Sequence, residues 1–201
     1  MERPSWETVR LWRQETRAAL IARRLSADRR QRTAWSVEIE RRLLPLIRAV
    51  DRKIVGFCWP FKGEFDPRRL ISEIQNSDGR RAALPVVLNR DAPMEFRPWT
   101  PDAEMEAGVW NIPVPKTTET VAPDLVLVPL VGFDSANYRL GYGGGYFDRT
   151  LGSLSPRPLT IGIGFELSRL DSIHPQPHDV PMDFVVTEAG IQEVQRGDAR
   201  A

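Results

Sequence analysis

Cysteine, histidine and lysine are nearly missing from this chain of 201 residues. It has one cysteine, Cys58, two histidines, His174 and His178, and only Lys53, Lys62 and Lys116 among the lysines. A lone cysteine excludes an internal disulfide framework. Cys58 lies inside the apolar run "IVGFCWPF" with no His close by in sequence, so it reads as a buried thiol rather than a nucleophile. The two histidines are four apart in "HPQPHD", but Pro175 and Pro177 forbid the helix on which a zinc pair at that spacing would sit. His178 is expected to orient Asp179 or to cap a turn. Long hydrophobic runs are absent too. The first residues, "MERPSWETVRLWRQ", hold no apolar stretch of signal-peptide kind, and no segment approaches bilayer-spanning length. The expected setting is the cytoplasm, with no membrane partner.

What is present fits an ordinary globular protein. Net charge is +1 and 41% of residues are apolar, and residues 1–201 are expected to form one domain, large enough to bury a core without staples. The charge is unevenly spread. Residues 1–53 carry fourteen Lys+Arg against seven Asp+Glu, while the remainder is acidic. An RNA-binding arm is one reading of that excess. The other is a pair of amphipathic helices, because the arginines are interleaved with Trp12, Leu20, Ile21, Trp35 and Ile39. The chain lacks aromatic–basic RNA motifs, and no nucleic-acid partner is expected.

Periodicity predicts helices over 5–24 and 27–50, the second striped by Trp35, Ile39, Leu43 and Ile47, with Ser26 as its N-cap and an end or kink at Pro45. A buried strand is expected at "KIVGFCWPF", then a helix opened by Asp66 and Pro67. Further strands are expected at "RAALPVVL", "PMEFRPW", "DLVLVPLVGF", "TIGIGFEL" and "DFVVTE", with a proline-rich connector over 98–123. A helix of about two turns begins near Tyr146, and residues 190–201 read as a frayed tail. Alternating strands and helices imply an α/β fold, a three-layer αβα domain with a largely parallel central sheet and two N-terminal helices. Ligands of such sheets bind beyond the C-terminal strand ends.

At one such end stands "RLGYGGGYFDR", Arg139 to Arg149. Its glycines could serve a plain turn or a phosphate cradle. Position after a central strand and before a helix favours the cradle. It is not a P-loop, since Tyr146-Phe147 follows the last glycine where Lys then Ser/Thr would stand. Tyr146 also occupies a glycine position of the dinucleotide fingerprint. Arg139 is suited to phosphate oxygens. Asp148 is suited either to Mg²⁺ or to the role of an acid in a helix first turn.

"GFDSANYRLGYGGGYFDRTL" closely resembles the signature of the 5-formyltetrahydrofolate cyclo-ligase family, also called methenyltetrahydrofolate synthetase. "LSADRR", "WPFKGEFDPRRL", "WNIPVP" and "PHDVPMDFVVTE" extend the likeness over most of the chain. The resemblance implies ATP- and Mg²⁺-dependent closure of 5-formyltetrahydrofolate to 5,10-methenyltetrahydrofolate by a monomeric enzyme. It also implies residue roles. Arg139 and Tyr146 are the catalytic candidates. ATP would lie along Arg139, Leu140, Gly141, Tyr142, Gly143, Gly144, Gly145, Tyr146 and Phe147. Asp148 and Asp179 would hold Mg²⁺. Folate would meet Trp59, Glu64, Trp110, Tyr142 and Tyr146.

The family usually offers a lysine and an arginine four apart on the first helix, near the ATP phosphates. Here Arg13 and Arg17 keep the spacing and the lysine is missing. Leu130 stands where many members have glycine. A folate- or nucleotide-binding paralogue without turnover, or with a changed substrate, is the alternative these departures leave. Two further expectations are that Arg139→Ala spares the fold, and that Gly144 needs a positive φ.

Overall fold

Leu125 and Leu127 face one side of a sheet while Val126 and Val128 face the other, and this period-2 split organises the molecule. The computed structural model describes residues 5–194. Among these residues the strands are β1 (Ile54–Gly56), β2 (Arg81–Val86), β3 (Glu95–Trp99), β4 (Met105–Ala107), β5 (Pro113–Pro115), β6 (Leu125–Pro129), β7 (Gly132–Phe133), β8 (Arg139–Leu140), β9 (Leu159–Ile163), β10 (Phe184–Val186) and β11 (Ile191–Glu193). The helices are α1 (Trp6–Ser26), α2 (Arg29–Arg48), α3 (Arg68–Asp78) and α4 (Tyr146–Ser153). Seven strands make one sheet in the order β11-β10-β9-β6-β1-β2-β3. Its inner five are parallel, and the edge strands β3 and β11 run antiparallel.

One face is covered by Ile39, Leu43 and Ile47 of α2 and by Leu70, Ile71 and Ile74 of α3. They pack on Val55, Leu84, Leu125, Leu127 and Ile161. Leu151 of α4 packs on the other face with Val126, Val128 and Val185. Each fully buried side chain of this kind contributes about 1.5–3 kcal/mol. That explains why Pro45 does not break α2, as its position suggested. Leu43 and Ile47 on either side of it are fully buried, Pro45 itself is exposed, and the helix runs on to Arg48.

Other boundaries also move. Asp28, not Ser26, caps α2, taking the N–H of Arg30, and the Ser26 hydroxyl turns back to the Arg23 carbonyl. The first expected strand is ordered as strand only over β1. "DLVLVPLVGF" divides after Pro129, which has no N–H to continue the ladder. Leu130 then bonds Ile163 and Val131 bonds Leu140, turning the chain out of the sheet toward the glycine loop. Leu130 fits because glycines lie beneath it: a Cβ on Gly162 or Gly164 would sit 3.0 or 3.1 Å from its side chain. The proline-rich connector folds into a β4–β5 hairpin. Within the expected tail, residues 191–193 form β11 on β10, while 195–201 lie outside the described residues.

Connections leave β1 toward β2 on one side and return to β6 on the other. This reversal opens a crevice at the C-terminal strand ends, and the candidate site lies there. Among the described residues no helix is long and apolar enough to cross a membrane.

Candidate functional site

A cleft of about 780 Å³ opens beyond β1, β2 and β6, lined from their ends by Trp59, Val87 and Pro129. Every residue named from the sequence borders it, from Arg13 and Arg17 through Trp59, Glu64 and Trp110, then Arg139 to Asp148, to Asp179. Residues far apart in sequence meet because α1, the β1–α3 turn, the β4–β5 hairpin, the β8–α4 loop and the segment before β10 all converge on that edge.

The glycine loop carries its freedom where the turn needs it. Gly143 and Gly145 have φ of +96° and +65°, a region that side-chain-bearing residues rarely adopt. Gly145 is also the N-cap of α4 and offers no side-chain oxygen, so the first-turn N–H groups of the helix have no cap. Gly144 does not have a positive φ, contrary to the sequence expectation. Its constraint is proximity: a Cβ there would lie 2.6 Å from Cε2 of the Tyr146 ring. Gly144→Val is therefore expected to push Tyr146 out of place and lower ATP affinity in the folded fraction. Calorimetric titration with ATP checks this, and unchanged affinity would reduce the loop to a structural turn.

Four arginines surround the loop in different ways. Arg17 is half-buried, donates through Nε to the Gly141 carbonyl at 2.8 Å, and lies against Gly143. Its terminal nitrogens make no hydrogen bond within the described residues. Burial first, and then the Arg13 charge, push its pKa down, with Asp179 partly opposing. Such a cation is stabilised by an anion. Arg13, by contrast, is engaged on all sides: Nε donates to Ile173, Nη2 to His174, and Nη1 and Nη2 to the carboxylate of Asp179. Arg139 is buried, clasping Asp148 at 3.0 Å and the Val180 carbonyl at 3.2 Å. Arg149 laces the loop by donating to Gly144 and Arg90, while its buried Nε is left without a partner.

The two aspartates sit beside each other's segments, since Asp148 Oδ1 accepts the N–H of Val180, the residue after Asp179. Burial alone would raise the Asp179 carboxyl. The Arg13 hydrogen bonds and the Gln176 N–H outweigh it and hold the pKa below the usual carboxylate range. Neither acid is a free ligand, but a carboxylate has about four acceptor positions. Asp148 remains 18% exposed, with only Arg139 on Oδ2. A Mg²⁺ ion needs one or two carboxylates beside phosphate oxygens, and the exposed edge of Asp148 fits that need. Among the described residues no cluster of three metal-ligating side chains forms a cage.

Beside the glycine loop the Glu64 side chain is buried. Its Oε1 accepts the Tyr142 hydroxyl at 2.7 Å, and its Oε2 accepts the Phe61 N–H at 2.9 Å. Desolvation raises the Glu64 pKa against the pull of Tyr142, Arg24 and that N–H. The Tyr142 phenol is likewise pushed up, by burial first and then by Glu64. Trp59 forms wall, with the Arg68 guanidinium 4.4 Å over its ring. Trp110 is exposed on the hairpin tip, edge-on to Tyr146 at 5.9 Å between ring centroids. Leu140 is buried in one apolar cluster and Phe147 packs against another.

The family model of 5-formyltetrahydrofolate cyclo-ligases matches residues 9–188. The chain belongs to the 5-formyltetrahydrofolate cyclo-ligase family. A cyclo-ligase of Haemophilus influenzae is 26% identical over 179 residues, covering 85% of this chain and 94% of the relative. One of Escherichia coli is 31% identical over 140 residues, covering 66% and 76%. The structure of 5,10-methenyltetrahydrofolate synthetase from Aquifex aeolicus has a TM-score of 0.77 at 24% identity, covering 94% and 96%, a likeness of fold.

All the site residues named from the sequence lie within the span shared with the family. Sequence reasoning missed Arg24, Arg149, Lys62 and Trp6. Arg149 closes the glycine motif and Lys62 neighbours Glu64, so both were within reach. Trp6 and Arg24 were not, because only the packing of α1 sets the half-exposed Trp6 at the cleft and buries Arg24. Arg24 is buried and reaches Tyr142 Oη at 2.8 Å.

Proposed function

We propose that residues 1–201 act as one monomeric, cytoplasmic catalytic domain. It closes 5-formyltetrahydrofolate to 5,10-methenyltetrahydrofolate with ATP and Mg²⁺, releasing ADP and phosphate. ATP phosphorylates the formyl oxygen, N10 attacks the activated carbon, and phosphate departs. A formyl oxygen leaves poorly until phosphorylated, so the protein's task is to position two substrates and neutralise charge on the transferring group. The observation that carries this reading is a single cleft with two unlike linings, joined through Tyr142. One part has uncapped helix N–H groups, an Arg17 whose terminal nitrogens make no hydrogen bond among the described residues, and the orphaned Arg149 Nε. The other has aromatic walls and a buried acid.

The polyphosphate would lie over Gly141 to Gly145 and the start of α4, with Arg17 on its oxygens and Tyr146 between nucleotide and folate. Arg139 acts by holding Asp148. Asp148 and Asp179 would hold Mg²⁺, which shields the phosphate charge. Glu64 would accept N–H groups of the pterin, near Trp59, with Trp110 at the rim. The missing lysine was the support for a paralogue without turnover, and against it stands Arg17, which keeps a cation beside Gly143. An RNA-binding arm is disfavoured because Arg13 and Arg24 turn inward.

The direct test is near-ultraviolet absorbance of methenyl product with ATP, Mg²⁺ and 5-formyltetrahydrofolate. Folded protein that binds ATP yet forms no product would refute the reading. Arg17→Met is expected to raise the KM for ATP about tenfold or more, the worth of a charged hydrogen bond. Folate KM should barely move. Equal loss for both substrates would place Arg17 in the scaffold instead.

A further inference from the structure

Arg24 is the most deeply buried arginine near the cleft, and the proposed chemistry gives it no task. It is 2% exposed. Its Nε donates to the Lys62 carbonyl at 3.0 Å and Nη1 to the Leu130 carbonyl at 3.2 Å, which fixes the guanidinium between the β1–α3 turn and the end of β6. Nη2 is left to donate to the Tyr142 hydroxyl, at 2.8 Å, and lies 3.9 Å from Glu64 Oε1. The Tyr142 hydroxyl in turn donates a hydrogen bond to Glu64 Oε1. A helix-borne cation, a phenol from the glycine loop and an acid from the β1–α3 turn thus form one buried chain opening on the cleft.

We propose that Arg24 is a positioning residue for the folate end of the cleft, acting through Tyr142 to hold Glu64 as an oriented, charged acceptor. The proposal rests on the reading of Glu64 as a substrate contact. A carboxylate accepts on both oxygens, and Glu64 has used one position on each for Tyr142 and Phe61. Positions remain for two N–H donors of a pterin edge. A protonated Glu64 would present a donor of its own and lose half of that match.

Burial drives Glu64 toward the protonated form, and the Tyr142 hydrogen bond resists it first, followed by the charge of Arg24, which also holds Tyr142 in place. No other group facing Glu64 adds a positive charge at the carboxylate. Tyr142 and Cys58 are both held neutral by burial. Lys62, on the same turn, places its ammonium over the Phe61 and Tyr142 rings, 5.1 and 6.0 Å from their centroids. The sign follows directly. The limb of kcat/KM for folate that reports Glu64 ionisation should rise with pH and be displaced upward by burial. Loss of the Arg24 charge must move that limb higher still.

The experiment measures KM for 5-formyltetrahydrofolate and for ATP, with the pH profile of kcat/KM, in Arg24→Met, Arg24→Lys, Tyr142→Phe and Glu64→Gln. Arg24→Met should raise folate KM about tenfold, leave ATP KM within about twofold, and shift the ascending limb up by about one pH unit. Arg24→Lys should move the limb back toward wild type, because charge is restored without the fork. Tyr142→Phe should shift the limb the same way as Arg24→Met, and it carries the test if Arg24→Met does not fold. Glu64→Gln should raise folate KM and abolish the limb. If it does so while Arg24→Met and Tyr142→Phe keep the wild-type limb, Arg24 is only structural and the proposal fails alone. If Glu64→Gln keeps wild-type folate KM, the substrate reading of Glu64 fails and the proposal with it.

Discussion

Arg139→Ala is expected to lose most turnover and much stability together, where the sequence suggested loss of turnover with the fold intact. The Arg139 and Asp148 side chains are 5% and 18% exposed and meet at 3.0 Å. Truncating Arg139 leaves a largely buried carboxylate without its cation, at a cost of about 3–5 kcal/mol. For a chain of this size that is a fall in Tm of roughly 6–20 °C. The Val180 carbonyl also loses its donor, and the Arg139 guanidinium no longer lies over the Phe147 ring, 5.6 Å from its centroid. Activity should fall because the start of α4 and the segment carrying Asp179 are no longer pinned to each other. A double variant separates the two effects. Arg139→Met with Asp148→Leu removes both charges, so thermal unfolding should show stability largely regained while turnover stays low. A single variant with wild-type Tm and rate would mean that the pair neither braces the loop nor serves catalysis.

Asp148→Asn and Asp179→Asn should separate in a way that sequence matching did not anticipate. Asp148 keeps an exposed edge, so its amide variant should fold. It should need at least about tenfold more Mg²⁺ for half-maximal turnover. Asp179 is the more deeply engaged of the two. Its side chain and that of Arg13 are each 7% exposed and meet at 2.5 Å, so Asp179→Asn strips a buried guanidinium of its counter-charge. It should lower Tm more than Asp148→Asn does, as well as weaken Mg²⁺. If the two acids share one ion, their effects on the Mg²⁺ requirement combine less than additively. Magnesium titrations of turnover beside thermal melts decide it. Full additivity with an unchanged Mg²⁺ requirement in either single variant would leave Asp148 as an acid of the helix start.

Much of the architecture was readable because it follows from local repeats. The stripe of Ile39, Leu43 and Ile47 predicted α2, and the apolar run from Leu125 predicted a central strand. The places where reading failed were contests between local chemistry and burial. Pro45 lost to the buried residues around it, and Asp28 outcompeted Ser26 as cap. β11 became visible only as a partner of β10, because a three-residue edge strand has no periodicity of its own.

The site divides in the same manner. From the sequence alone came the α/β class, the glycine loop at a strand end, and a motif specific enough to point to the cyclo-ligase family and to candidate residues that all reached one cleft. Those are properties of short contiguous stretches, and spacing along the chain expresses them. Which charged groups face one another was decided by the tertiary structure. Arg13 closes on Asp179, Arg139 on Asp148, and Arg24 on Tyr142 and Glu64, across separations of 166, 9, 118 and 40 residues. Arg17 is left facing the loop. Four arginines of one formal charge take different roles because desolvation makes each of them depend on its nearest counter-charge, and chain folding alone determines which that is.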